Sequence, residues 1–164
     1  MNDDRPDPRP AAGERELLET FLDFHRATLL QKTDGLDEAG LRQSPVPSGT
    51  SLLGMVKHVA YVERWWFQAI FAGDSVDFPW TDEDPDADWR IEPDESPADI
   101  FTLYRDECAR NRQISAASAL DEVAANSSKG FSLRWILVHM IEETARHNGH
   151  ADVLRELADG TVGE

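Results

Sequence analysis

Apolar residues recur at helical spacing in four separate stretches of the chain, and no window sustains the period-two alternation of a half-buried strand. The first stretch runs from about Glu14 to Asp34, with Leu18, Leu22, His25 and Leu29 on one stripe and Phe21 beside it. The segment from Gly35 to Gly49 carries three glycines and two prolines, so it reads as a turning, extended connection. A second helix opens at Thr50 or Ser51, which are capping residues, and runs to about Ala72 with Met55, His58, Val62, Trp65 and Ala69 as its stripe. A third opens at Ser96 before Pro97 and Asp99 and reaches Ser118. A fourth opens at Ser132 and reaches Ala158 before Gly160 stops it. One short and two long connections join these helices, which predicts an all-α four-helix bundle with long crossover connections.

Outside the helices two segments stand apart. Residues 1–13 hold Pro6, Pro8 and Pro10 among charges and read as a disordered tail, leaving 14–160 as a single domain. Residues 74–99 form an acidic, Pro-rich loop with eleven acidic residues, one arginine and four prolines, and Phe78, Trp80 and Trp89 are expected to pin it to the bundle.

Composition changes this picture in three ways. With 164 residues, 40% of them hydrophobic, the chain has ample material for one core. Sixteen Lys and Arg against 32 Asp and Glu give a net charge of −16, which disfavours nucleic acid and anionic membrane surfaces. The 74–99 loop supplies −10 of that charge, so the acidity is local. The single cysteine, Cys108, excludes an internal disulfide and a Cys-rich zinc site and fits a reducing, cytoplasmic setting. It reads as a small buried residue, with a catalytic thiol as the minor reading. No stretch reaches the roughly 20 apolar residues of a membrane span.

The chemistry lies in the histidines. All five, His25, His58, His139, His147 and His150, fall on stripes expected to face inward. On a wheel of the last helix, His139, Glu143, His147 and His150 lie within roughly 80° of one another, flanked by Ile136, Met140, Leu154 and Leu157. A buried carboxylate needs a partner or a metal. Glu143 and His147, four residues apart, can reach one cation, and His58 is the natural third ligand from another helix. Two imidazoles and a carboxylate suit zinc first, with nickel or iron as alternatives, and leave positions open for water or substrate. His147 with His150 is the second-ranked pair, and Arg146 is the competing partner of Glu143. His139 and His150 are the candidate catalytic residues, orienting ligands or moving protons, with His25 beside them. Tyr61, Trp65 and Trp66 are core, dimer-contact or pocket-mouth residues. The Glu-x-x-His pair of di-iron bundles, the His-Glu-x-x-His motif, a phosphate-binding glycine loop and a Gly-x-Ser-x-Gly elbow are all missing.

The stretches SLLGMVKHVAYVERWWF at 51–67 and VHMIEETARHNGHADVLRELADG at 138–160 resemble the DinB-like superfamily. Within it they resemble actinobacterial DinB-type proteins close to the metal-binding domain of mycothiol-dependent maleylpyruvate isomerase. The resemblance implies a metal triad of His58, Glu143 and His147, the Glu-first pair being that of the isomerase-like branch. It also implies a low-molecular-weight thiol such as mycothiol as cosubstrate and a small electrophile as substrate. Transfer, isomerisation or hydrolysis is the expected reaction. The alternative is a noncatalytic stress-response or interaction protein in which a structural metal gains a fourth ligand from His139 or His150; a third reading is a partner-binding module without metal. The apolar surplus on helices two and three allows a homodimer.

Overall fold

Serine, aspartate and glycine signals punctuate the chain where the hydrophobic pattern breaks, and the helices of the computed structural model, which describes residues 5–163, begin and end at them. Helix α1 spans Glu14–Gln31, with Glu14 and Glu16 in its first turn where the helix dipole favours negative charge. Its last carbonyls are followed by a turn through Gly35, at φ +78°. Arg155 closes that end, donating through Nη1 to the carbonyls of Lys32 at 3.1 Å and Asp34 at 2.6 Å. Helix α2, Glu38–Arg42, is a single turn whose Asp37 side chain accepts from the Gly40 amide. It lies in the stretch expected to be extended and is too short for a periodic signal.

Helix α3, Leu52–Glu63, is capped by Ser51, whose side chain accepts from the Gly54 amide. Nearly every residue from Leu52 to Ala60 is buried, so α3 is the central helix of the bundle. It runs without a break into a π-helical segment, Arg64–Ala72, which Gly73 ends in the left-handed conformation at φ +74°. The hydrophobic pattern predicts one uniform helix there; π segments are local widenings that concentrate at functional sites. Helix α4, Pro97–Ala117, begins with a capping box between Ser96 and Asp99 and a proline in its first turn. Helix α5, Leu133–Asp159, is capped by Ser132 and ends at Gly160, φ +81°.

Helix α1 packs chiefly on α5, and α3 on α4, with α3 also touching α5. The chain is all-helical; among the described residues the only β contact is an isolated antiparallel bridge between Val123 and Ser132. One apolar cluster gathers Leu29, Leu53, Met55, Val59, Tyr104 and Cys108; a second gathers Leu22, Phe67, Leu133, Ile136 and Met140. The core also holds a polar network. Arg26 grips Glu63 through two N–H···O bonds, Asn111 donates to Glu63 at 2.9 Å, and Gln68 bridges Glu107 and Asn111.

The apolar residues of the second helix go mainly into the core, and the large exposed apolar residues include Trp135, Val138, Val153 and Leu157 on α5. Two expectations about faces need correction. Phe21 and Leu157, placed on inward stripes, are exposed. His150 is exposed as well. A wheel gives a residue's direction around its helix but not whether a neighbouring element covers that level. Residues 1–4 of the expected N-terminal tail lie outside the described residues; from the rest, Arg5 lies over the Phe24 ring at 4.7 Å. No helix among the described residues is long and apolar enough to cross a membrane.

Candidate metal centre

His58 stands in the middle of α3 and Glu143 and His147 one turn apart on α5, so the contact between these two helices brings the three together. One ligand atom from each lies within 4.8 Å of the others, and these are the residues that spacing singles out in the sequence. Zinc–ligand bonds of about 2.0–2.2 Å would draw the donors somewhat closer together. The imidazoles of His58 and His147 meet edge to face, with centroids 5.1 Å apart.

Glu143 Oε1 lies 3.2 Å from His147 Nε2. That hydrogen bond is the main reason the Glu143 carboxyl is held below the usual glutamate range, against the effect of burial; the imidazoles of His147, His139 and His58 add to it. The other oxygen, Oε2, lies 3.3 Å from Arg146 Nη1, so the competing partner is also present. Arg146, half exposed, is shared with Glu142 and leaves Oε1 turned toward His147. His147 Nδ1 is buried without a hydrogen-bond partner among the described residues. Two imidazoles and a carboxylate whose donor atoms converge in this way fit a site that a cation completes.

The loop 74–99 supplies what spacing and periodicity do not show. Asp88, buried on that loop, places Oδ2 2.7 Å from His58 Nδ1. Trp89 stacks on the same imidazole at 3.8 Å between centroids and 16° between planes. Asp88 is one acid among eleven in a segment without periodicity, and only the return of the loop onto α3 distinguishes it.

Of the other histidines, His25 and His139 are half-buried and His150 is exposed. His139 is half-buried against Trp66 at 4.8 Å and Trp135 at 5.1 Å, and burial lowers its pKa. His25 meets Asn148, which donates to its backbone carbonyl at 3.0 Å; burial lowers its pKa too. His150 stands on the surface with its ring 5.7 Å from that of His147. None of the three joins the ligand group. Cys108 is buried on α4, its thiol pushed up to about 12 by burial first and by the Glu63 charge next. Buried and poorly ionised, the thiol sits as a core residue of α4.

A cavity of about 410 Å³ opens beside the three ligands, lined by His58 and Glu143 together with Val62, Trp65, Trp66, Trp80 and Trp89. Trp65 and Trp66 are consecutive and come from the π segment, while Trp80 and Trp89 come from the acidic loop. Trp80 in turn stacks on Phe78 at 4.4 Å, and Phe78 meets Trp65 edge-on, so the loop aromatics are fastened to the helix as expected.

The family profile described as mycothiol-S-transferase matches residues 17–160, which takes in all five helices except the first turn of α1. The chain belongs to the mycothiol-S-transferase family. A search of curated proteins finds no match. In this member of the mycothiol-S-transferase family, the matched span includes His58, Glu143 and His147 and the loop that covers them.

Proposed function

We propose that the chain transfers a low-molecular-weight thiol of the mycothiol type to a small electrophile at a divalent metal held by His58, Glu143 and His147. The observation that carries this is the convergence of those three donors beside a cavity walled by indoles. Zinc is the metal the donor set suits best, with nickel or iron as alternatives. The bound cation supplies a Lewis-acid position that lowers the pKa of a thiol or water. His58 and His147 hold it as neutral imidazoles, and Glu143 offsets part of its charge. Three protein donors, with no fourth among the described residues, support an open catalytic site over a structural metal.

The walls also favour one kind of electrophile. Four indoles offer flat apolar faces for an aromatic or extended apolar substrate. The charged residues of the lining are Asp86, Asp88 and Glu143, and no lysine or arginine is among them. Even against a divalent cation these three carboxylates leave the lining negative, which favours a neutral or cationic electrophile over a carboxylate or phosphate. His150, exposed beside His147, takes the proton released from the thiol to solvent, and His139 fixes the Trp66 wall from behind.

The test is conjugation of mycothiol to a neutral aromatic electrophile, followed with metal-loaded protein, with chelated protein and with Glu143→Ala. The expected result is turnover only in the first. Equal turnover in protein shown to be free of metal contradicts the reading.

A further inference from the structure

Three consecutive loop residues dock onto one face of α3. The carbonyl of Trp89 comes so close to Gly54 that a methyl group there would overlap its oxygen. The carbonyl of Arg90 accepts from Lys57 Nζ at 2.8 Å. The carboxylate of Asp88 and the ring of Trp89 both meet His58. Positions 54, 57 and 58 are related by three and four residues, the spacing that puts side chains on one helical face. Lys57 also pairs with Glu95 at 2.7 Å, tying the far end of the loop to the same face.

Asp88 is 5% exposed, whereas most acids of this loop are at the surface. Burying a carboxylate is costly unless it is hydrogen-bonded, and its partner here is His58 Nδ1. An ionised carboxylate only accepts, so Nδ1 must carry the proton, which leaves the lone pair on Nε2. Trp89, stacked on the ring face, restrains rotation of the same imidazole.

We propose that Asp88 is a positioning residue of the metal centre: from the acidic loop it fixes the tautomer and orientation of His58 so that Nε2 is presented to the cation. This rests on the metal site proposed above. The loop is thereby part of the site, since Gly54 and Lys57 hold the backbone that aims Asp88. Carboxylate partners of metal-binding histidines typically contribute about 10–100-fold to metal affinity.

The experiment measures Zn²⁺ affinity by chelator competition for wild type, Asp88→Ala, Asp88→Asn and Glu83→Gln, the last an exposed acid of the same loop. Long-range ¹H–¹⁵N spectra of the metal-free proteins report the His58 tautomer. The expected result is a loss of about 10–100-fold for Asp88→Ala, partial recovery in Asp88→Asn, whose amide oxygen still accepts, and no change for Glu83→Gln. Wild type carries the His58 proton on Nδ1, and Asp88→Ala moves it partly to Nε2. A merely structural role would lower melting temperature without moving the tautomer. Wild-type affinity in Asp88→Ala, or a wild-type proton on Nε2, overturns the role of Asp88 alone. Failure of wild type to bind a stoichiometric metal overturns the metal site and this proposal with it.

Discussion

Arg26 Nε and Nη2 lie 2.7 Å and 2.6 Å from the two carboxylate oxygens of Glu63, a buried fork that joins α1 to the last α-helical turn of α3. The π segment starts at the next residue, so this pair anchors the helix just where its geometry changes. Removing Glu63 leaves the buried Arg26 with Asp23, at 2.8 Å, as its remaining ionic partner and takes the acceptor from Asn111. Glu63→Ala is expected to cost about 3–5 kcal/mol in chemical denaturation. The double variant Arg26→Met, Glu63→Leu should cost less than Glu63→Ala alone.

Gly54 is required by contact and not by backbone angle. Gly54→Ala places a methyl group against the Trp89 carbonyl, which is backbone and cannot swing aside. Overpacking of this kind costs about 1–3 kcal/mol. Because the displaced segment carries Asp88 and Trp89, weaker metal binding should accompany the lower melting temperature. Unchanged melting and binding would show that the loop yields freely.

Cys108 is buried on α4 with its pKa pushed up to about 12. In the native protein it should resist a thiol reagent at pH 8 and react fully only in denaturant. Cys108→Ala should keep thiol-transfer activity. Rapid native labelling, or loss of turnover with metal still bound, would restore the thiol as a candidate nucleophile.

The lowered pKa values of His25 and His139 give stability a pH dependence whose sign follows from linkage. In the unfolded chain these imidazoles protonate near 6.5, and in the folded protein only at lower pH. The unfolded state therefore binds more protons as pH falls below that value. Stability is complete above the unfolded pKa and is lost as pH drops through 6.5 toward the folded values. Denaturant midpoints of metal-free protein should fall between about pH 7 and about pH 5.5. The double variant His25→Gln, His139→Gln should flatten the curve; an equally steep curve in that variant would reject the assignment.

Much of this molecule is legible in its amino-acid pattern. Ser51, Ser96 and Ser132 cap the helices they are expected to open, and Gly160 ends the last, because capping chemistry is local. The i, i+4 spacing of Glu143 and His147 and the central place of His58 on its stripe suffice to group the three ligands. The π segment is hidden because Arg64–Ala72 keeps an apolar pattern that an α-helix would also show. Helix α2 is one turn long and gives no period. His150 points along the correct stripe, yet nothing covers it at its level of the bundle. Asp88 is hidden most deeply, since its partner is 30 residues away and reached only when the loop folds back.

The central claim is that His58, Glu143 and His147 hold one divalent metal. Elemental analysis of purified protein, with His58→Ala, Glu143→Ala and His147→Ala prepared in parallel, tests it most directly. Wild type should carry close to one equivalent of metal, zinc foremost, and each variant should lose most of it with helical circular dichroism retained. Wild type without stoichiometric metal, or variants that retain it in full, would rule out the triad.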